Sequence, residues 1–183
     1  MSTRPPGTVE VRTVAPDEVP VLAEISVAAY SSVPGFDPGE EYLTSLADVG
    51  RRASLATVLV AVDDAGRVVG GVTYVSGAGP YAEFDDASDA GMRMLAVAPH
   101  AQGRGVGTAL VRACVARAEA EGRGRLWLHT TLHMAGAQRL YERLGFRRAP
   151  ERDRALPDVA LLAYVLDLQP AAPRRTTSYR QGR

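Results

Sequence analysis

The sequence contains no lysine; its 21 basic residues are all arginines, and 21 aspartates and glutamates balance them to a formal net charge of zero. The missing lysine excludes the P-loop, whose last glycine is followed by one. A balanced charge leaves no global field to gather nucleic acid or an anionic membrane surface. Cysteine occurs once, as Cys114, so no intramolecular disulfide can form and nothing points to an oxidising compartment. Placed at helical spacing from Leu110 and Val111, this thiol reads as a small core filler rather than a nucleophile. No apolar run approaches the ~20 residues that cross a bilayer. Met1 to Gly7 carry Arg4 and two prolines but no apolar stretch of the signal-peptide kind. The expectation is a cytoplasmic protein with neither nucleic acid nor membrane as partner.

The 183 residues, 46% of them hydrophobic, suffice for one domain with a full core. Val9, Val11 and Thr13 alternate within a first strand, Thr8 to Val14. Asp17 is the expected N-cap of a helix carrying Leu22, Ile25, Ala29 and Tyr30, which stops before Pro34-Gly35. A second helix starts after Asp37-Pro38 and buries Tyr42, Leu43, Leu46 and Val49. Two apolar runs, Thr57 to Val62 and Val68 to Val75, form a hairpin turned at Gly66. The following loop gathers Glu83, Asp85, Asp86 and Asp89, acids that are either solvated or placed to draw in a cationic amine. Beyond the central strand come a helix from Gly105 to Glu121, a strand over Leu126 to Thr130, a helix carrying Ala137, Leu140, Tyr141 and Leu144, and a last strand, Val159 to Leu168. This order predicts an α/β domain over 8–168, its mixed sheet covered by helices on both faces. Residues 1–7 and a basic tail, 169–183, are expected to be disordered.

The stretch Met92 to Ala109 carries the functional signal. An apolar strand runs into Gly103, Gly105 and Gly107 and then into a helix. Glycines at a sharp bend let backbone N–H groups point into the space ahead of the helix, where the dipole favours an anion. Arg104 can add a charge-assisted contact. The dinucleotide fingerprint is not met, because this is not the first strand-turn-helix unit and no acid follows at the next strand end.

Gln102, Gly105 and Gly107, with Arg104 and Val106 between them, resemble the coenzyme A signature of the GCN5-related N-acetyltransferases: Gln or Arg, two residues, Gly, one residue, Gly or Ala. Ala137-Gln138-Arg139-Leu140-Tyr141-Glu142-Arg143-Leu144-Gly145-Phe146 is similar to the second motif of that family. The resemblance covers about residues 8 to 168. It implies a single domain whose central strand is bulged and splays from its neighbour. It also implies acetyl-CoA as donor, with coenzyme A as product and no metal. Leu95, Ala96 and Val97 would lie along the pantetheine arm, and Gln102, Gly103, Arg104, Gly105, Val106, Gly107 and Thr108 around the phosphates.

Acetyl transfer to an amine needs a neutral nitrogen at the thioester, a partner for the carbonyl oxygen and an acid for the thiolate. The resemblance assigns the oxygen to the backbone N–H of Val97 and the acid to Tyr141. The glutamate base of histone-modifying members is replaced by Gly91, while His129 stands where members acting on ribosomal proteins carry a glutamate, and an imidazole can take a proton near neutral pH. Met134 replaces an asparagine that binds pantetheine, which leaves His133 as a substitute. Arg139 and Arg143 are either solvated or within reach of the phosphates, and because in the family the segment joining the first two helices borders the acceptor pocket, Tyr30, Phe36, Glu41 and Tyr42 are candidates for substrate contact, the alternative being core aromatics and a solvated glutamate. The expected function is transfer of acetyl to a primary amine of a small molecule or peptide, directly in a ternary complex. The alternative is a non-catalytic acyl-CoA-binding regulatory module. Because family members often pair through edge strands, the resemblance also leaves a homodimer open.

Overall fold

The computed structural model describes residues 9–156 and 159–169. Thr8, the expected disordered start and the tail from Pro170 onward lie outside the described residues. The strands are β1 Glu10–Thr13, β2 Thr57–Val62, β3 Val68–Ser76, β4 Ala90–Val97, β5 Arg125–Thr131, β6 Arg147–Arg148, β7 Arg154–Leu156 and β8 Val159–Asp167. The helices are α1 Val19–Ser31, α2 Gly39–Ala47, α3 Val49–Leu55, α4 Val106–Ala120 and α5 Ala135–Arg143. The strands form one mixed sheet in the order β1-β2-β3-β4-β5-β8-β6, with β7 paired to β8. β4 and β5 are parallel neighbours and the other pairings are antiparallel.

The side chains of β2 show how the layers form. Val58, Val60 and Val62 pack with Leu22 of α1 and Val49 of α3, whereas Leu59 and Ala61 join the core of Leu110, Val111 and Cys114 on α4. Strand side chains alternate faces, so one all-apolar run serves both layers. The neighbouring β3 lets α1 come close, because a Cβ on Gly71 would stand 2.6 Å from Leu22 Cδ1 and 2.9 Å from the Leu59 carbonyl oxygen. Cys114 is the fully buried filler its spacing predicted.

Two helix boundaries differ from expectation. The helix expected over Tyr42 to Val49 is two helices, because Asp48 leaves helical geometry and its side chain accepts from the Arg51 N–H, capping α3. Such an Asx cap competes with helix continuation even where the apolar stripe runs on. Similarly, α1 starts at Val19, and Glu18, not Asp17, does the local work: its carboxylate accepts from the Ala15 N–H and pairs with Arg12.

The centre of the sheet is irregular. β4 and β5 pair at Ala90–Leu126 and Gly91–Trp127 and then diverge. On the other edge of β4, Gly71 faces Ala96 and Thr73 faces Arg93, so Val72 stands opposite both Met94 and Leu95. This β-bulge holds Met94 at φ 54°, a left-handed conformation costly for any residue with a Cβ. It also reverses the side-chain phase: Ala90 and Met92 pack in the α4 core, whereas Met94 and Ala96 pack with Ala29, Tyr30 and Leu46. No helix among the described residues is long and apolar enough to cross a membrane.

Candidate active site

The divergence of β4 from β5 opens a cleft of about 670 Å³. Its walls are the end of α1 with Tyr30, Ser32, Val33 and Pro34, the end of β4 with Leu95 and Val97, the turn and start of α4 from Ala101 to Thr108 except Arg104, and α5 with Ala137, Leu140 and Arg143. His133 and Met134, from the turn before α5, also reach it. The α1 residues beyond Tyr30 were not legible as site residues, because only the fold turns that helix end toward the opening.

Backbone groups dominate this cleft. The Ala98 N–H donates to the Val69 carbonyl on β3, and in an antiparallel ladder successive residues bond to opposite edges. Ala96 therefore directs its N–H and C=O toward β3, whereas Val97, and Leu95 by the same alternation, turn theirs to the open edge. The Val97 carbonyl accepts from Gln102 Nε2 at 3.3 Å, which ties the glycine turn to the strand and leaves the Val97 N–H free. Ahead of α4, no N–H from Gly103 to Thr108 finds an acceptor among the described residues; the first bond of the helix is from Ala109 to the Gly105 carbonyl. Gly103 at φ 73° and Gly105 at φ 81° produce this fan of donors, and a Cβ on either would meet open space. Gly107 serves differently: it lies inside α4, where a Cβ would press on Leu140 Cδ2 at 3.2 Å, so it brings α5 close rather than bending the chain.

The charged residues near the turn divide. Arg143 lines the cleft, Arg139 is exposed elsewhere on α5, and Arg104 lines a smaller cavity of about 40 Å³ with Asp63, Arg67 and His100.

Tyr141 lies behind the α5 wall, buried against Phe146 and Tyr164 with ring centroids 5.9 and 6.1 Å away. Burial pushes its hydroxyl well above the usual tyrosine range, with the nearby Cys114 thiol adding to it. No hydrogen bond joins that hydroxyl to another described residue. Tyr30, which does line the cleft, is raised first by burial and then by its Tyr42 and Tyr141 neighbours, so the two sides of the splay are within electrostatic reach.

On the α1 side of the splay, the acidic loop is neutralised rather than open. Glu83 contacts His129 Nδ1 at 3.1 Å and Arg93 at 3.2 Å. Asp85 pairs with Arg152, and the buried Asp89 accepts from Trp127 Nε1 at 2.8 Å and from Arg125. The expected pull on a cationic amine is therefore spent on arginines of this chain. His129 has a side chain only 4% exposed, and its Nε2 meets the Arg152 carbonyl at 3.2 Å. A carbonyl only accepts, so Nε2 carries hydrogen; an ionised carboxylate likewise only accepts, so the Glu83 contact is made when Nδ1 also carries one. In this arrangement the ring presents no lone pair. Gly91 is closed off by Phe84, whose Cε1 would lie 2.8 Å from an added Cβ, so a glutamate has no room there. Tyr42 packs on Tyr30 at 5.9 Å and Phe36 lies by His133, while Glu41 is exposed.

Arg93 and Arg52 were missed. The signal for the first was a charge inside the apolar run Met92-Arg93-Met94; Arg52, only 2% exposed, has an exposed-looking helical context and left none.

The profile of the Acetyltransferase (GNAT) family matches residues 21–146. No curated protein sequence matches the chain. Among solved structures, a GCN5-related N-acetyltransferase from Kribbella flavida is 24% identical at a TM-score of 0.65, over 88% of this chain and 98% of that one. The yncA protein of Salmonella typhimurium, solved with its cofactor acetyl-CoA, is 20% identical at 0.66, over 92% and 99%. The ribosomal-protein-S18-alanine N-acetyltransferase of Escherichia coli is 20% identical at 0.65, over 91% and 98%. With the family profile spanning well over half of its length and the cleft formed by its two motifs, the chain belongs to the GNAT acetyltransferase family.

Proposed function

We propose that the protein transfers an acetyl group from acetyl-CoA to a primary amine of a small molecule or peptide, directly within a ternary complex. The observation that carries this reading is that one cleft is bordered by both the open edge of β4 and the unpartnered amides ahead of α4. The residues fit the cofactor. The N–H groups from Gly103 to Thr108 suit its pyrophosphate, and Leu95 and Val97 can pair with the pantetheine amides as a further strand would. Bound there, acetyl-CoA supplies an activated acyl thioester. Among the similar structures, one is named for acetylation of an alanine of a ribosomal protein, which supports an amine acceptor.

The chain's own groups supply the rest. The Val97 N–H donates to the acyl oxygen, a donor fixed by the strand before the ligand arrives. Tyr141 keeps its proton through neutral pH because burial disfavours its anion, and as the acid it passes that proton to the thiolate from behind the α5 wall. The acceptor's proton goes to the His129–Glu83 pair, held together at 3.1 Å, when that pair has a lone pair to offer. Steady-state release of coenzyme A tests these roles. Tyr141→Phe lowers kcat by ~10²–10⁴ with acetyl-CoA affinity unchanged, and His129→Gln lowers kcat in the same way. A kcat within about twofold of wild type in Tyr141→Phe refutes the acid.

A further inference from the structure

We propose that the amine acceptor carries a carboxylate, received by Arg93 with Arg52 behind it, so that the substrate class is amino acids and related amino-carboxylates. This rests on the acetyl-transfer reading above. Two arginines outside the cleft wall, Arg93 on β4 and Arg52 on α3, hold buried donors without acceptors. Arg93, on β4 immediately before the bulge, forms an ion pair with Glu83 at 3.2 Å and stacks over the Tyr81 ring at 5.4 Å. No N–H of its guanidinium makes a hydrogen bond to a described residue, and its Nε is buried and unpartnered. With 24% of its side chain exposed, it is reachable.

Arg52 of α3 repeats the pattern at greater depth. Its Nη1 donates to the Ser45 and Leu46 carbonyls at 2.7 and 3.0 Å, and its Nε is buried without a partner. Burial depresses it, and the positive charge of Arg93 depresses it further. The two arginines share few acids: Glu83 pairs with Arg93 and also contacts His129, and Asp48, the acid that acts on Arg52, is exposed and caps α3. Unpaired buried donors are destabilising, and a carboxylate fits a guanidinium fork through two parallel hydrogen bonds.

Placement links this anion site to the cleft. Arg93 acts on the Tyr42 hydroxyl, Tyr42 packs on Tyr30, and Tyr30 lines the cleft. In the proposed complex, an amine joined to a carboxylate at Arg93 points past Tyr42 toward Tyr30 and the cleft. The void bounded by Tyr81, Glu83, Arg93 and His129 is about 10 Å³, room for a water and not for a carboxylate, so the proposal requires the loop carrying Tyr81 and Glu83 to move.

The test is coenzyme A release from acetyl-CoA with a panel of L-amino acids, each beside its α-carboxamide, for wild type and Arg93→Gln. The amine of a carboxamide loses its proton more readily, so a preference for the acid cannot come from amine basicity. At least one amino acid is expected to exceed its carboxamide by about tenfold in kcat/KM. Arg93→Gln is expected to raise the KM of that acid about tenfold more than the KM of its carboxamide, and to leave the affinity for acetyl-CoA as in wild type. Equal use of acid and carboxamide, turnover confined to amines lacking a carboxylate, or an unchanged KM in the variant overturns the assignment. Should Arg93→Gln fail to fold, the wild-type ratio of acid to carboxamide still decides. Absence of acetyl-CoA binding strikes the acetyl-transfer reading instead, which separates the two failures.

Discussion

Gly105 allows the backbone and the charge at the head of α4 to be perturbed separately. It lies at φ 81°, and an added Cβ meets nothing within 4 Å, so alanine there introduces conformational strain and no clash. A left-handed residue with a Cβ costs about 1–2 kcal/mol, which for a domain of this size lowers Tm by roughly 2–8 °C. Gly105→Glu carries the same strain and adds a carboxylate among the unpartnered amides. At about 5 Å and an effective dielectric of about 20, each unit of phosphate charge is repelled by about 3 kcal/mol, roughly a hundredfold in Kd. Screening by physiological salt reduces this toward about tenfold. Calorimetric titration with acetyl-CoA should therefore find Gly105→Ala within about threefold of wild type and Gly105→Glu weaker by a further factor of about ten to a hundred. Lowering the ionic strength should widen the gap. Equal affinity of the two variants would refute the placement of phosphate at this helix end, since they differ in charge and not in backbone strain.

Close contacts and ion pairs elsewhere give two more measurable outcomes. Gly71→Ala drives a methyl to within 2.6 Å of Leu22 and 2.9 Å of the Leu59 carbonyl, and the latter is backbone in the middle of the sheet. The expected loss is about 1–3 kcal/mol, read as a lower urea midpoint; an unchanged midpoint would show that α1 does not press on β3 as described. Glu83 titrates below its unfolded value of 4.5: burial opposes this, but the His129 hydrogen bond and the Arg93 charge outweigh it. A depressed carboxylate contributes stability that is fully present above 4.5 and is lost as pH falls through the folded value. Glu83→Gln should thus flatten the acid limb of a stability-versus-pH curve below that point. An acid limb of unchanged slope would sink the ion-pair assignment.

Much of the fold was legible because its signals are local. The β2–β3 hairpin needs only two apolar runs around Gly66, and α4 needs the glycine turn, an apolar stripe from Val106 to Ala118 and a stop at Gly122. Breaks in regularity carry no such local signal, and the bulged, splayed central strand was expected only from the family resemblance. Apolar spacing runs from Leu46 to Val49 across Asp48, so periodicity sees one helix where a side-chain cap makes two. Met92, Met94 and Ala96 alternate as in a regular strand, and nothing local announces that Met94 starts a bulge. The acidic loop misleads for another reason. Its partners Arg93, Arg125, His129 and Arg152 come from other strands and loops, so its neutralisation is a tertiary fact. The same limit applied to Tyr141, whose place the motif marks but whose burial behind Leu140 depends on how α5 meets β8 and α4.

In the proposed acetyl transfer, the bulge lets one strand face donor and acceptor at once. In a regular β4, Met94 and Ala96 would follow Ala90 and Met92 onto the α4 face. With the extra residue, Met94 and Ala96 pack with Tyr30 and Leu46 instead, and Leu95 and Val97 turn to the side of α4 and the cleft. Arg93, immediately before the irregularity, comes to stand beside Tyr42 and Tyr81. The left-handed conformation of Met94 costs about 1–3 kcal/mol, and the ladder bonds that β4 and β5 do not make beyond Gly91 are a further loss. Burial of Met94, 7% exposed in the α1–α2 core, offsets part of this. The fold thus gives up stability on the strand that carries both an unpaired edge facing the α4 N-terminus and, just before the bulge, an arginine with unused donors, and each of these is a group that a ligand, rather than the chain, can satisfy.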